Sequence, residues 1–123
     1  MTKKRILIVE DEPFIALDES TILRGLGYEV VGIASSGIEA IKLAEESKPD
    51  LVLMDIKLTG AMDGREAALK ILEFHQAPML YVTAYGDKAF SQSLKAIPSE
   101  SMGHIVRPFT EEELASEIKR LIG

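Results

Sequence analysis

The 123-residue chain contains no cysteine, which excludes disulfides, zinc–thiolate centres and cysteine nucleophiles. That lack is consistent with a cytoplasmic protein. Long hydrophobic runs are missing too: nothing approaches the roughly 18 apolar residues of a membrane-spanning helix. The opening "MTKKRILIVE" sets basic residues before an apolar stretch, but that stretch is too short for the core of a signal peptide and has no cleavage-like site. The expected location is the cytoplasm, without a membrane partner. Basic residues are in deficit, 14 Lys and Arg against 20 Asp and Glu, for a formal charge of −6. The only basic cluster is Lys3-Lys4-Arg5. Phosphate neutralisation supplies much of a nucleic-acid binder's affinity, so direct nucleic-acid binding is not expected. No glycine-rich loop follows the first apolar run, which argues against a nucleotide-cradling module. Repeats, low-complexity tracts and linkers are absent as well. A chain that is 46% hydrophobic and 28% charged is expected to fold as one domain over residues 1–123, with no effector domain.

What the chain does have is a regular alternation. Five apolar runs occur: "RILIV" (5–9), "EVVGIA" (29–34), "LVLM" (51–54), "MLYVT" (79–83) and "HIV" (104–106). The first, third and fourth are nearly continuous, as strands are when both faces of a parallel sheet are covered. Between the runs lie helix signatures. Pro13 suits a first helical position, with Ile15, Ile22 and Leu26 near one face and Gly25-Leu26-Gly27 as the stop. "SGIE" (36–39), "DGRE" (63–66) and "TEEE" (110–113) each place a capping residue three positions before a glutamate. The last helix carries Leu114, Ile118, Leu121 and Ile122 on one stripe. Phe90, Leu94 and Ile97 suggest a further helix cut short by Pro98. The pattern is (βα)₅ with right-handed crossovers, an α/β doubly wound sheet with helices on both faces.

In such sheets the loops at the carboxyl ends of the strands form the site. After the first strand come Glu10, Asp11 and Glu12; the third is followed by Asp55; the fourth ends in Thr83-Ala84 and the fifth in Arg107-Pro108. If the first and third strands are neighbours, Glu10, Asp11 and Asp55 converge. Two unit charges about 4 Å apart repel by about 4 kcal/mol at an effective dielectric of 20, so a cation is needed among them. Oxygen ligands without histidine or thiol suit a hard ion, Mg²⁺ above all. Carboxylates, a metal, a hydroxyl at Thr83 and a fixed cation at Arg107 together suit phosphoryl chemistry, with a carboxylate as nucleophile.

The segments "ILIVEDE", "LVLMDIKLTGAMDG", "YVTAYG" and "HIVRPF", in that order, resemble the CheY-like receiver domain of two-component response regulators over essentially the whole chain. The resemblance implies a flavodoxin-like three-layer sandwich whose five parallel strands run in the order 2-1-3-4-5. It implies Mg²⁺-dependent transfer of a phosphoryl group from a histidine kinase or phosphotransfer protein onto Asp55. Asp11 then matches the direct metal ligand, Glu10 the acid acting through water, and Lys57 the residue whose backbone carbonyl completes the metal shell. Thr83 matches the hydroxyl that moves to the phosphoryl group, and Ala84 the small residue beside it. Such a domain signals rather than turning over substrate; at most it catalyses its own aspartyl phosphorylation and dephosphorylation. Its output would be a changed preference for a downstream protein at the face formed by the fourth predicted helix, the fifth strand and the last helix, and a phosphorylation-dependent homodimer is left open.

The chain departs from the family pattern at several points. Arg107 stands where the family has lysine, and His104 where it usually has tyrosine or phenylalanine. The loop after Asp55 lacks the usual proline and is longer, with Gly60 available for a left-handed turn. The segment from Asp87 to Met102 is also longer. Arg107 and His104 motivate one alternative, a pseudo-receiver that binds partners without phosphorylation. A haloacid-dehalogenase-like phosphatase is more remote, because Lys57 stands where its second aspartate belongs.

Overall fold

The computed structural model describes residues 3–58, 60–84 and 102–123. Its elements are β1 (Arg5–Val9), α1 (Pro13–Gly25), β2 (Glu29–Ala34), α2 (Gly37–Ser47), β3 (Leu51–Asp55), α3 (Gly64–Leu72), β4 (Met79–Ala84), β5 (Met102–Arg107) and α4 (Glu111–Ile122). All strand pairs are parallel, in the order β2-β1-β3-β4-β5. This is the doubly wound order expected from the resemblance. The further helix predicted around Phe90, Leu94 and Ile97 lies outside the described residues.

Local chemistry explains where the helices begin. Pro13 occupies the first turn of α1, where its missing N–H costs no hydrogen bond. The Ser36 hydroxyl accepts from the Glu39 N–H, while the Glu39 carboxylate turns back to the Ser35 N–H. Asp63 with Glu66, and Thr110 with Glu113, form complete reciprocal capping boxes. Each cap contributes about 1 kcal/mol. Gly60 takes a φ of 101°, the left-handed turn expected of it in the loop after Asp55.

The period of two along each strand divides the core into two layers. Leu7, Val9, Val52, Met54, Met79 and Tyr81 face α2 and α3. Ile6, Ile8, Leu51, Leu53, Leu80, Val82 and Ile105 face the other way, against Leu23 of α1 and Leu114 and Ile118 of α4. β1 beyond Arg5 and all of β3 are buried on both faces, which is why they read as continuous apolar runs.

One expectation fails. α1 does not turn the face of Ile15, Ile22 and Leu26 to the core; its buried residues are Ala16, Glu19, Ser20 and Leu23. Ile15 and Leu26 are exposed and Ile22 packs only at the core margin. Two polar residues hold core-facing positions, so the apolar pattern mislocates the face. Glu19 proves to belong to the site.

Candidate functional site

Strand parity builds the site. Glu10 continues the alternation of Ile6 and Ile8, Asp55 that of Leu51 and Leu53, and Arg107 that of Ile105. All three therefore emerge at the carboxyl edge on the side covered by α1. Glu10, Asp11 and Asp55 each offer a carboxylate oxygen within 4.8 Å of the others. Glu10 and Asp55 are only 3% and 7% exposed. The Lys57 N–H donates to Asp55 Oδ1 at 3.1 Å, and the Glu12 N–H donates to Glu10 Oε2 at 3.1 Å.

Arg107 enters this cluster from β5 and is shared by three carboxylates. Its Nη2 lies 2.5 Å from Glu10 Oε1 and 3.3 Å from Glu19 Oε2, and its Nη1 lies 4.0 Å from Asp55 Oδ2. The first two are hydrogen bonds; the third is beyond hydrogen-bond reach. Arg107 is therefore drawn mainly to Glu10 and α1, and only secondarily to Asp55. The Arg107–Pro108 peptide bond is cis.

These surroundings shift the ionisation of the cluster. Burial raises the Glu10 carboxyl above its ordinary range, helped by the Asp55 charge and opposed by the Glu12 N–H and Arg107. Burial pushes Glu19 up to about 7, with Glu10 and Asp55 adding to the rise and Arg107 opposing it. For Arg107, burial acts to lower the value, but the hydrogen bond and charge of Glu10, with Glu19 and Asp55, raise it. The guanidinium is a permanent cation here.

The Glu19 shift carries a prediction. Its value of about 7 in the folded protein exceeds the ordinary 4.5, so between those pH values the folded chain holds a proton that the unfolded chain has lost. Stability falls as pH rises through that window. Urea unfolding of the metal-free protein should show a loss of about 2–3 kcal/mol from this group between pH 4.5 and 7.5. Glu19→Gln should remove that part of the slope; an unchanged slope would contradict the assignment.

The other candidate residues are placed differently. Thr83 is buried, and its hydroxyl donates to the Ile105 carbonyl at 3.4 Å. It shares the parity of Met79 and Tyr81, opposite to that of Val82. Ala84 pairs with Arg107 across the β4–β5 ladder. His104 is exposed and pairs with Tyr81, on the face of β5 opposite Ile105 and Arg107, so the fold does not bring it into the carboxylate cluster. Glu19 is the site residue that sequence reasoning missed. Its position between Ala16, Ser20 and Leu23 on one helical stripe was the available clue.

The donor set fits Mg²⁺. All three cluster groups are carboxylates, the hard oxygen ligands this ion prefers. Both Glu10 oxygens already accept hydrogen bonds, which suits Glu10 to contact through water.

A family model described as the response regulator receiver domain matches residues 6–119. The transcriptional regulatory protein PdtaR of Mycobacterium tuberculosis is 40% identical over 116 residues, covering 94% of this chain and 55% of that protein. The chemotaxis protein CheY of Thermotoga maritima is 33% identical over 119 residues, covering 96% and 97%. Among solved structures, the response regulator PhyR from Brucella abortus aligns with a TM-score of 0.81 and 34% identity, covering 98% of this chain and 48% of that one. The chain thus spans about half the length of PdtaR and of PhyR, and nearly all of CheY.

Proposed function

The chain belongs to the response regulator receiver domain family, and from that membership we propose that it is a Mg²⁺-dependent phospho-accepting switch with Asp55 as acceptor. The observation that carries this reading is the convergence of Glu10, Asp11 and Asp55 at the carboxyl edge of β1 and β3, with Arg107 beside them. In the proposed step an Asp55 carboxylate oxygen attacks the phosphorus of a phosphohistidine on a histidine kinase or phosphotransfer protein. The P–N bond breaks as the P–O bond forms, and the leaving imidazole nitrogen takes up a proton from solvent. Asp11, Asp55, the Lys57 carbonyl and, through water, Glu10 would hold Mg²⁺, which would supply positive charge to offset the phosphoryl oxygens. The Lys57 N–H orients the acceptor carboxylate, and Arg107 is the counter-charge for the product. Receiver domains are signalling domains rather than classical enzymes, and the chemistry proposed for this one is at most its own phosphorylation and the reversal of it.

The switch follows from the same residues. Thr83, whose hydroxyl rests on the Ile105 carbonyl, would turn to the phosphoryl group past the small Ala84. His104, exposed on β5 beside α4, would re-set the output face for a downstream protein or a second copy of the chain. No helix among the described residues is long and apolar enough to cross a membrane, and the acidic charge argues against direct nucleic-acid contact.

The test is incubation with a small acyl-phosphate donor and Mg²⁺. Intact mass should show one added phosphoryl group, lost with a chelator and absent from Asp55→Asn. Label that persists unchanged in Asp55→Asn would contradict the assignment. A pseudo-receiver is the second reading, favoured by the preference of Arg107 for Glu10 and Glu19 over Asp55. Failure of both Mg²⁺ binding and response to a phosphoryl mimic would select it.

A further inference from the structure

Glu19 has no place in the metal set, yet it is among the most buried charged residues described, at 3% exposure. It occupies a position on α1 between Ala16, Ser20 and Leu23 where an apolar side chain would pack. A carboxylate kept there must be paired, and its ion pair with Arg107 Nη2 at 3.3 Å provides that. The same Nη2 also binds Glu10, while Nη1 points towards Asp55 from 4.0 Å. A planar guanidinium can divide its donors among carboxylates on two sides; a lysine ammonium, a compact point charge, is less suited to that division. Arg107 and Glu19 thus explain each other: the buried acid on α1 calls for a forked cation, and Arg107 is that cation.

We propose that Glu19 is a positioning residue of the site, anchoring Arg107 towards α1 so that the arginine reaches a phosphoryl group on Asp55 only by giving up that anchor. The proposal rests on the phospho-accepting reading above. An aspartyl phosphate brings new negative charge and strong acceptor oxygens to the end of β3. Arg107 is the cation closest at hand among the described ion pairs, already 4.0 Å from Asp55. Moving the guanidinium towards β3 leaves Glu19 buried without its partner. The phosphoryl group and Glu19 therefore compete for one cation, and α1 reports the state of Asp55 through it.

The experiment measures beryllofluoride binding with Mg²⁺ for the wild type, Glu19→Gln, Arg107→Lys and the double variant. The Arg107 Nε–H resonance is followed alongside in metal-free wild type and Glu19→Gln. Glu19→Gln keeps the shape and removes the charge. It should bind the mimic about fivefold tighter, equivalent to about 1 kcal/mol at 1.4 kcal/mol per decade. The gain should vanish in the Arg107→Lys background, and the Nε–H resonance should shift in metal-free Glu19→Gln. A merely structural glutamate would give no tightening. Equal or weaker binding by Glu19→Gln, or an equal gain in the lysine background, overturns the proposal. If the wild type binds no mimic at all, the phospho-accepting reading fails, and the resonance decides the anchor alone: a shift retains it and no shift overturns it.

Discussion

Replacing Arg107 with methionine is expected to destabilise the metal-free protein by about 3 kcal/mol at pH 7.5, and by much less at pH 5. The arginine is the shared partner of Glu10, Glu19 and Asp55. Removing one member of a buried ion pair leaves charge without compensation, which typically costs about 3–5 kcal/mol. The lower end applies because the Arg107 side chain is 30% exposed, while those of Glu10 and Glu19 are 2% and 4% exposed. The pH dependence follows from the carboxylates. Burial already raises Glu10 and Glu19, and loss of the opposing cation raises them further. At pH 5 Glu19 is then largely neutral in the folded variant, and less uncompensated charge remains. Urea unfolding at the two pH values checks this. A uniform loss at both would mean that Arg107 acts through packing of its stem rather than through charge.

Gly64→Ala should be as damaging for a different reason. A Cβ at Gly64 would lie 2.1 Å from the Asp55 carbonyl oxygen and 2.8 Å from the Ile56 Cα. Both are backbone atoms, so no side chain can swing aside. The Gly64 N–H also donates to the Ile56 carbonyl at 3.1 Å, tying the start of α3 to the end of β3. The clash must displace one of them, at about 3 kcal/mol, the upper part of the usual overpacking range. The displaced strand end carries Asp55. Small misplacements of reacting groups can lower rates by about a hundredfold, so phosphorylation by an acyl-phosphate donor should fall well beyond what the lost stability explains. Thermal unfolding and the labelling rate of the same variant test the two parts. A variant with wild-type stability and rate would refute the close approach.

Much of the fold was legible because its determinants are local. Buried strands read as continuous apolar runs, and three caps mark three helix starts within a residue. The acids at the ends of β1 and β3 could be expected to meet once those strands were neighbours, and their parity brings Arg107 to the same side. Long-range packing was not legible. Glu19 is one of 20 acidic residues, and an acid in a helix reads as solvent-facing unless its partner on a distant strand is known. The face of α1 was misassigned for the same reason: apolar Phe14, Ile15 and Leu17 point outward while Glu19 and Ser20 point in. Gly64 read only as the residue after a cap, since nothing local reveals the backbone of β3 against it. Arg107 was expected as a fixed cation for phosphoryl chemistry, and its attachment to Glu10 and Glu19 required the three-dimensional arrangement.

The central claim is that Asp55 accepts a phosphoryl group. Its most direct test is borohydride reduction of protein treated with an acyl-phosphate donor and Mg²⁺, followed by peptide mass spectrometry. Reduction converts an aspartyl phosphate to homoserine and leaves a free aspartate unchanged. The account predicts homoserine at position 55, dependent on both donor and metal, with no homoserine at Asp11 and no 2-amino-5-hydroxypentanoic acid at Glu10. Unmodified Asp55 under conditions where the protein binds Mg²⁺, or homoserine at another position, would contradict it.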